Sequence, residues 1–255
     1  MERDIYLRLD ALQDSHWWFC ARRDVIRETL KRICPDNRKV RILEAGCGTG
    51  GNLKMLSAFG DVAAFEPDRE ALVMAGAKGA YQLQQGSLPE GIPAYDGAFD
   101  MVVALDVLEH VERDVESLAA LRKRLAPGGR MVLTVPAFPF LWSRHDETHH
   151  HFRRYTRKSL SEAFDQAGFE IEHLTYYNSF LFPLVAALRL GRRALGLSET
   201  ADDQMPSPAV NKVLKTIFSG ERKLVSRFSL PFGVSLLAVA RNPGAEQDRE
   251  FVPGG

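Results

Sequence analysis

The sequence has little of what marks secreted, membrane-spanning or nucleic-acid-binding proteins. Its 255 residues include only three cysteines, and Cys20, Cys34 and Cys47 have neither a disulfide nor a metal-site spacing, which favours a reducing compartment. The 33 basic and 33 acidic side chains cancel, so no global field draws the chain to nucleic acid. The start lacks the apolar core of a signal peptide, and no apolar run is long enough to span a membrane. We therefore expect a cytoplasmic protein that binds no nucleic acid.

Strand and helix patterns alternate along the chain, whose length suits one α/β domain with additions. Strand patterns lie at residues 40–45, 62–65, 81–83, 99–105, 131–135, 171–177 and 234–240. Helical patterns lie at residues 14–32, 52–59, 69–77, 115–125 and 157–167, and residues 127–129 predict a turn before the fifth strand. This βαβ spacing predicts a mostly parallel sheet covered by helices on both faces.

Closely spaced glycines follow the first strand, in the segment 41–51. Glycine permits a tight turn and lets a ligand approach the backbone, and the free N–H groups at the start of a helix attract anions. The spacing fits two cofactors. After the shared Gly46 and Gly48, Gly51 completes the dinucleotide fingerprint, whereas Gly50 completes the loop of S-adenosylmethionine (SAM) methyltransferases. The loop alone therefore predicts a nucleotide-like ligand without naming it.

The fourth strand favours SAM. The segment Gly97–His110 resembles the "FD-x-V-x-x-x-x-V-L-E-H" segment of class I SAM-dependent small-molecule methyltransferases. Leu125–Gly129 resembles the segment that follows it in the same family, and Glu44 ahead of the glycine loop fits as well. The similarity covers roughly residues 40–136. The resemblance implies a Rossmann-like seven-stranded sheet with an antiparallel last strand, and SAM as the cofactor.

The resemblance also implies roles for individual residues. The loop backbone would pass the methionine end of SAM, Glu44 would orient the loop and the amino group, and Glu66 would accept both ribose hydroxyls. Ser87 departs from the acidic residue usual at the adenine amino group. Glu109 and His110 could equally be a helix cap or take part directly. The cofactor set implied in this way is Glu44, Gly46, Cys47, Gly48, Gly50, Asn52, Glu66, Pro67, Ser87, Leu88, Leu105, Asp106, Val107 and Trp18.

An aromatic group precedes the core. His16-Trp17-Trp18-Phe19 resembles an entry helix found in one subset of these methyltransferases. Aromatic side chains commonly pack a helix onto a core, but three bulky rings in a row cannot all face one side of it. At least one ring should therefore point to the cofactor cleft or to solvent. We expect residues 1–38 to form a helical lid over SAM.

A run rich in histidine and arginine follows the fifth strand, at the edge where this fold binds ligands. Three interpretations compete: a metal site, a general base for O-methylation, and a solvated loop with surface ion pairs. We favour His151 or His145 as the base, with Asp146 orienting it, and we expect no bound metal. A pair of arginines could hold an anionic acceptor group. The candidate catalytic set is His145, Asp146, His151, Arg153, Arg154 and Tyr155.

The chain divides into five parts. After the lid, residues 39–178 form the SAM-binding core, 179–230 a helical insert or cap, 231–242 the last strand and 243–255 a flexible tail. The insert combines apolar stretches with basic side chains, so it could cover a lipid-like substrate or lie peripherally on the inner face of a membrane. A cap or dimer face is the commoner arrangement, and we expect a monomer or homodimer.

These features together predict SAM-dependent methyl transfer to a small molecule. We favour O-methylation of a hydroxyl or carboxyl on a lipid-linked, glycan-like or aromatic compound, although a carbon or nitrogen acceptor fits too. Two other classes stay open: an NAD(P)-dependent oxidoreductase, which would share the glycine loop, and a SAM-binding regulator without turnover.

Overall fold

Seven strands form one sheet in a computed structural model that describes residues 3–34, 39–195 and 204–244. The sheet order is β3-β2-β1-β4-β5-β7-β6, with β7 antiparallel to both of its neighbours and the other pairs parallel. This confirms the predicted mostly parallel sheet with an antiparallel last strand. The strands are β1 Val40–Ala45, β2 Gly60–Glu66, β3 Gln82–Gln85, β4 Phe99–Leu105, β5 Leu125–Pro136, β6 Glu170–Tyr177 and β7 Ser235–Arg241.

Ten α-helices and two 3-10 helices precede or connect these strands in the described parts of the chain. The α-helices are α1 Arg3–Leu12, α2 Trp17–Ile33, α3 Leu53–Leu56, α4 Arg69–Gly76, α5 Asp114–Arg122, α6 Arg144–Thr148, α7 Arg157–Gln166, α8 Phe182–Ala194, α9 Pro208–Gly220 and α10 Arg222–Arg227. The 3-10 helices are Leu108–His110 and Pro139–Leu141. Strand ends and helix starts thus meet repeatedly at one edge of the sheet.

Three boundaries predicted from the sequence are wrong. The helix predicted at 14–32 is α2, which begins only at Trp17 because His16 caps it, and a further helix, α1, precedes it. The helix predicted at 52–59 is only the single turn α3. The predicted turn at 127–129 lies inside β5, which begins at Leu125 and pairs irregularly with β4 near Phe99 and Met101. In the last case pairing with β4 and β7 extends the strand past the residues that predict a turn.

The central strands are almost completely buried. β4 and β5 carry continuous apolar runs, such as Val102–Leu105 and Met131–Leu133, as expected for parallel strands covered on both faces. One face packs on α5 and α7, and the other on α2, α9 and α10. The N-terminal helix α2 is therefore part of the core, and the insert helices α9 and α10 pack on it.

The insert is tied to the core by one buried carboxylate. The sequence pattern of residues 209–228 predicts one helix, but the structure has a break at Glu221, which separates α9 from α10. The Glu221 side chain is fully buried and accepts hydrogen bonds from the backbone N–H groups of Asn178, Ser179 (2.8 Å) and Phe180 (3.2 Å), just after β6. Burial raises the pKa of Glu221, and these three bonds oppose that shift. The break in the helix thus follows from the tertiary contact.

Two other predicted features lie partly or wholly outside the described residues. Residues 198–207, whose acidic and turn-rich sequence predicts a linker, fall mostly in the gap at 196–203. Most of the predicted tail lies beyond residue 244. Within the described segments, every helix is too short or too polar to cross a membrane.

Replacing Glu221 by alanine should destabilise the protein by about 3 kcal/mol, because three buried N–H groups would lose a charged acceptor. Urea unfolding of the purified variant measures this loss. Glu162→Ala is the matched control, since Glu162 is exposed and makes only a long ion pair with Lys158 at 3.8 Å. Equal stability of the two variants would contradict the anchoring role of Glu221.

Candidate active site

A cleft of about 850 Å³ opens at the carboxyl ends of β1, β2, β4 and β5. The glycine loop and the N-terminal helices line one side of it, and the segment between β5 and α7 lines the other. Ligands in open α/β sheets bind at this edge because loops and helix starts converge there. The sequence predicts the cofactor on the first side and the acceptor on the second, and we call these sides the cofactor half and the acceptor half.

The glycine loop turns sharply against β2. Gly46 and Gly48 both have positive φ, 66° and 53°, which side chains rarely adopt. A Cβ on Gly48 would meet no atom within 4 Å, so the backbone here borders open space that a ligand can approach. Gly50 differs, because its missing Cβ would press on Leu53 and Ala75, and it does not line the cleft. The third glycine of the motif is thus a packing residue.

Glu66 lies at the end of β2, almost completely buried, facing the loop. Its carboxylate accepts hydrogen bonds from the Gly48 N–H (2.9 Å), the Asp68 N–H (3.3 Å) and the Tyr6 hydroxyl (3.0 Å). Burial raises the pKa of Glu66, while these bonds favour the charged form. A carboxylate has about four acceptor positions, so at least one is left for a ribose hydroxyl, and Tyr6 would have to share or yield another.

Glu44 acts from beneath the loop and does not line the cleft. Its Oε1 accepts a 2.9 Å hydrogen bond from the Asn52 amide, and its Oε2 has no hydrogen-bond partner. Burial raises the pKa of Glu44 to about 7, although the Asn52 bond and the charge of Arg22 oppose the shift. Asn52 itself lines the cleft. Any influence of Glu44 on a ligand therefore passes through Asn52.

The other implied cofactor residues border the cleft. Asp106 follows β4 with a positive φ of 56° and forms an ion pair with Arg22 of α2. The Arg22 guanidinium also lies 4.8 Å from the centre of the Trp18 ring, one helical turn away. The N-terminal helix is thus held at the cleft by charge as well as by packing. The remaining residues of the set that line the cleft are Cys47, Pro67, Ser87, Leu88, Leu105 and Val107.

Asp146 organises the acceptor half. It is fully buried, and Arg154 forks onto its two oxygens with both distances 2.8 Å. The Nδ1 of His151 lies 2.8 Å from Oδ1, and the Ser143 N–H donates to Oδ2. Burial acts to raise the pKa of Asp146, but the His151 hydrogen bond and the Arg154 charge outweigh it and hold the pKa well below its usual range. Asp146 is therefore a charged residue that fixes His151.

Arg153 and Tyr155 point away from the cleft. Arg153 forms an ion pair with Asp114 (2.6 Å), and the buried Tyr155 hydroxyl donates to the same carboxylate (2.8 Å). Both side chains fasten this segment to the start of α5. Arg154 lines the cleft, but its guanidinium is engaged by Asp146. The candidate catalytic set is thus brought together only in part, at His145, Asp146, His151 and Arg154.

Further histidines surround His151. The ring centres of His110 and His151 are 4.5 Å apart, and those of His145 and His149 are 4.1 Å apart. Burial, followed by the neighbouring His151 and His149, lowers the pKa of His110 to about 3, so this ring is neutral near pH 7. Glu109 and His110 belong to the 3-10 helix after β4, and both side chains line the cleft.

Sequence reasoning missed several residues of the cleft. Tyr6 lies in α1, for which no motif pointed to the cofactor half. Gln13 approaches the Thr49 hydroxyl at 3.3 Å. Arg22 could have been found, because it lies four residues after Trp18 and so shares its face of α2.

The comparisons with known proteins agree with this geometry. A family model described as a methyltransferase domain matches residues 19–174, more than half of the chain. The chain belongs to this family. It is 28% identical over 171 residues to a probable SAM-dependent methyltransferase of Mycolicibacterium smegmatis, covering 64% of this chain and 63% of the relative. It is 28% identical over 139 residues to trans-aconitate 2-methyltransferase of Deinococcus radiodurans, covering 54% and 51%. The chain thus spans less than two thirds of each relative.

Solved structures share the fold. A Haloferax volcanii complex of the Trm112 methyltransferase activator with a putative methyltransferase matches with a TM-score of 0.62 at 18% identity, over 95% of this chain and 96% of that one. The N-methyltransferase NodS of Bradyrhizobium japonicum, bound to S-adenosyl-L-homocysteine, matches with a TM-score of 0.51 at 15% identity, over 86% and 84%. The family identifies the cofactor as SAM, and the open backbone at Gly48 with the buried Glu66 fits it. The family assignment therefore argues against the alternative of an NAD(P)-dependent oxidoreductase.

Proposed function

We propose that the protein transfers the methyl group of SAM to a hydroxyl or carboxyl oxygen of a small molecule. The observation that carries this proposal is the Asp146–His151 pair, which lies in the same cleft as Glu66 and the glycine loop. SAM supplies an already activated methyl group, so the protein needs chiefly to orient the two reactants and to accept a proton. The name of the Deinococcus relative, a methyltransferase for a small acid, is in keeping with a carboxyl acceptor.

His151 is the base in this proposal. Its Nδ1 is fixed on Asp146, which leaves Nε2 to take the proton of an acceptor hydroxyl. The charged Asp146 stabilises the imidazolium that forms and sets the ring orientation. Arg154 holds Asp146 from the other side, so we assign it a positioning role instead of the anion clamp expected from the sequence. A carboxyl acceptor, already ionised near pH 7, would not need the base.

Loss of the His151 imidazole should reduce kcat for a hydroxyl acceptor by about 10²- to 10⁴-fold, because the base would be gone while SAM binding stays intact. Labelled SAM with a panel of hydroxyl and carboxyl compounds measures turnover of His151→Ala and His145→Ala, and calorimetry measures SAM affinity. The control is His150→Asn, which alters an exposed neighbour and keeps a residue tolerant of its positive φ of 55°.

Full turnover of both His151→Ala and His145→Ala would contradict a histidine base. Absence of transfer by the wild-type protein to every acceptor, with SAM still bound, would favour the alternative of a SAM-binding regulator.

The N-terminal helices form a lid over the cofactor in this proposal. The Tyr6 hydroxyl on Glu66 places α1 against the carboxylate expected to hold the ribose. Trp18 borders the cleft one turn before Arg22, whose ion pair with Asp106 fixes α2 beside the loop after β4. Residues 3–34 would therefore exclude water from SAM once it binds.

Removing the Trp18 ring should weaken SAM binding about 5- to 30-fold, since losing such an apolar contact costs about 1–2 kcal/mol. It should also remove most of the SAM-dependent change in tryptophan fluorescence. Titration of Trp18→Ala with SAM tests both expectations, and Trp142→Phe, which removes an indole outside the cleft lining, is the control. Unchanged affinity and fluorescence response in Trp18→Ala would contradict the lid.

The insert would dock on an anionic membrane surface and receive a lipid-linked acceptor. On α8, Leu184 and Leu188 are one turn apart and each 53% exposed. On α9, Val210 and Val213 are 48% and 56% exposed. The same two helices and α10 also carry basic side chains, which suits a bilayer with anionic headgroups. They are Arg192, Arg193, Lys212, Lys215, Lys223 and Arg227.

The wild-type protein should sediment with phosphatidylglycerol-containing vesicles and not with pure phosphatidylcholine, and added salt should weaken binding. Substituting Leu184, Leu188 and Val213 together by glutamine should lower vesicle partitioning about tenfold or more, because the apolar contact is lost. Val73→Gln is the control, as Val73 is equally apolar and 70% exposed on α4. Equal loss in the control, or no vesicle binding by the wild type, would contradict this surface.

A further inference from the structure

Three potential metal ligands meet where two distant segments cross. Glu109 and His110 come from the 3-10 helix after β4, and His151 comes from the segment after β5. Each offers one ligand atom, and these atoms lie within 4.8 Å of one another. Ligands held about 2.0–2.2 Å from one ion lie roughly 3–4 Å apart, so binding would draw the side chains together by about 1 Å. All three border the acceptor half of the cleft.

Glu109 carries a carboxylate oxygen that no described residue uses. The side chain is 1% exposed, and its Oε2 has no hydrogen-bond partner. Two arginines act on it electrostatically, but Arg22 forms its ion pair with Asp106 and Arg154 forms its pair with Asp146. A buried carboxylate without a partner is costly. A cation between Glu109 and the two imidazoles would remove that cost.

The two imidazoles are already oriented by groups behind them. His151 is held through Nδ1 by the Asp146 carboxylate, which leaves Nε2 for a metal. The His110 ring is hydrogen-bonded to the backbone of His149. Histidine ligands of metals usually have their second nitrogen fixed in this way, by a carboxylate or by a backbone carbonyl. The structure therefore has both the three potential ligands and the groups that hold the two imidazole rings in place, Asp146 and the backbone of His149.

We propose that Glu109, His110 and His151 bind a divalent transition-metal cation of the Zn²⁺ type beside the acceptor position. Two imidazoles and one carboxylate suit Zn²⁺, whereas Mg²⁺ prefers an all-oxygen shell. The metal site weighed from the sequence would draw on His145, Asp146, His149 or His151, but Asp146 is engaged by Arg154 and is not a ligand here. The three ligands leave a coordination position for water or an acceptor oxygen facing the cleft.

One consequence rests on the proposed methyl transfer, whereas metal binding does not. An acceptor O–H at the open position would ionise more readily, its proton leaving to bulk water and its electron pair staying on oxygen. His151 would then be a ligand instead of the base. A chelator would therefore abolish transfer to hydroxyl acceptors if the cation is needed, and would leave it unchanged if His151 acts as the base.

The test is calorimetric titration of the chelator-stripped full chain with Zn²⁺, with Mg²⁺ as the comparison ion. We expect one Zn²⁺ per chain, no Mg²⁺ binding at the same concentrations, and an affinity at least tenfold weaker in Glu109→Gln and in His151→Ala. His150→Asn should bind like the wild type, and circular dichroism checks that each variant is folded. Cobalt(II) in place of zinc should give the visible absorption of a four-coordinate site in the wild type only.

Equal Zn²⁺ affinity in the wild type and Glu109→Gln would overturn the proposal, as adventitious binding to the histidine run would then explain the signal. Absence of stoichiometric binding in the wild type would overturn it too. Because SAM affinity and methyl transfer are measured separately, failure of the metal site is distinguishable from failure of the proposed function.

Discussion

The cleft depends on the burial of several carboxylates at one edge of the sheet. Glu44, Glu66, Glu109 and Asp146 are each at most 4% exposed, and each follows or ends a parallel strand or lies in the segment after one. Burying a charge without a partner is expensive, so every such group constrains what lies beside it. Three of these carboxylates accept hydrogen bonds from nearby donors. Asn52 donates to Glu44, the loop backbone and Tyr6 donate to Glu66, and Arg154 donates to Asp146. The architecture of the site follows from these pairings.

Two arginines each form an ion pair with an aspartate, one in each half of the cleft. Arg22 joins helix α2 to Asp106 on the cofactor side. Arg154 holds Asp146 and so fixes His151 on the acceptor side. Glu109 experiences the charge of both arginines but forms an ion pair with neither. An added cation therefore has an electrostatic reason to bind at Glu109, at the boundary between the two halves of the cleft.

Most of the fold could be predicted from the sequence, because the apolar strands and the glycine loop are local patterns with fixed spacing. It could not reveal contacts between remote segments. The break at Glu221 depends on N–H groups after β6, and the inward position of Tyr6 depends on Glu66, sixty residues away. Likewise, the sequence predicts that Arg153 binds an anionic acceptor, whereas in the structure Arg153 forms an ion pair with Asp114. The sequence shows which side chains are charged, but only the fold shows which residue each of them pairs with.

The insert and the acceptor half are physically joined, which bears on how an acceptor would arrive. Arg189 of α8 donates to the Leu141 carbonyl at 2.7 Å, in the 3-10 helix that leads from β5 to the histidine segment, and Arg189 also lines the cleft. The helix that carries the exposed Leu184 and Leu188 thus also contributes Val185 and Arg189 to the cleft lining. A lipid-linked acceptor could keep its chain in the bilayer while its polar head reached His151, so the cost of extracting the lipid into water would not arise.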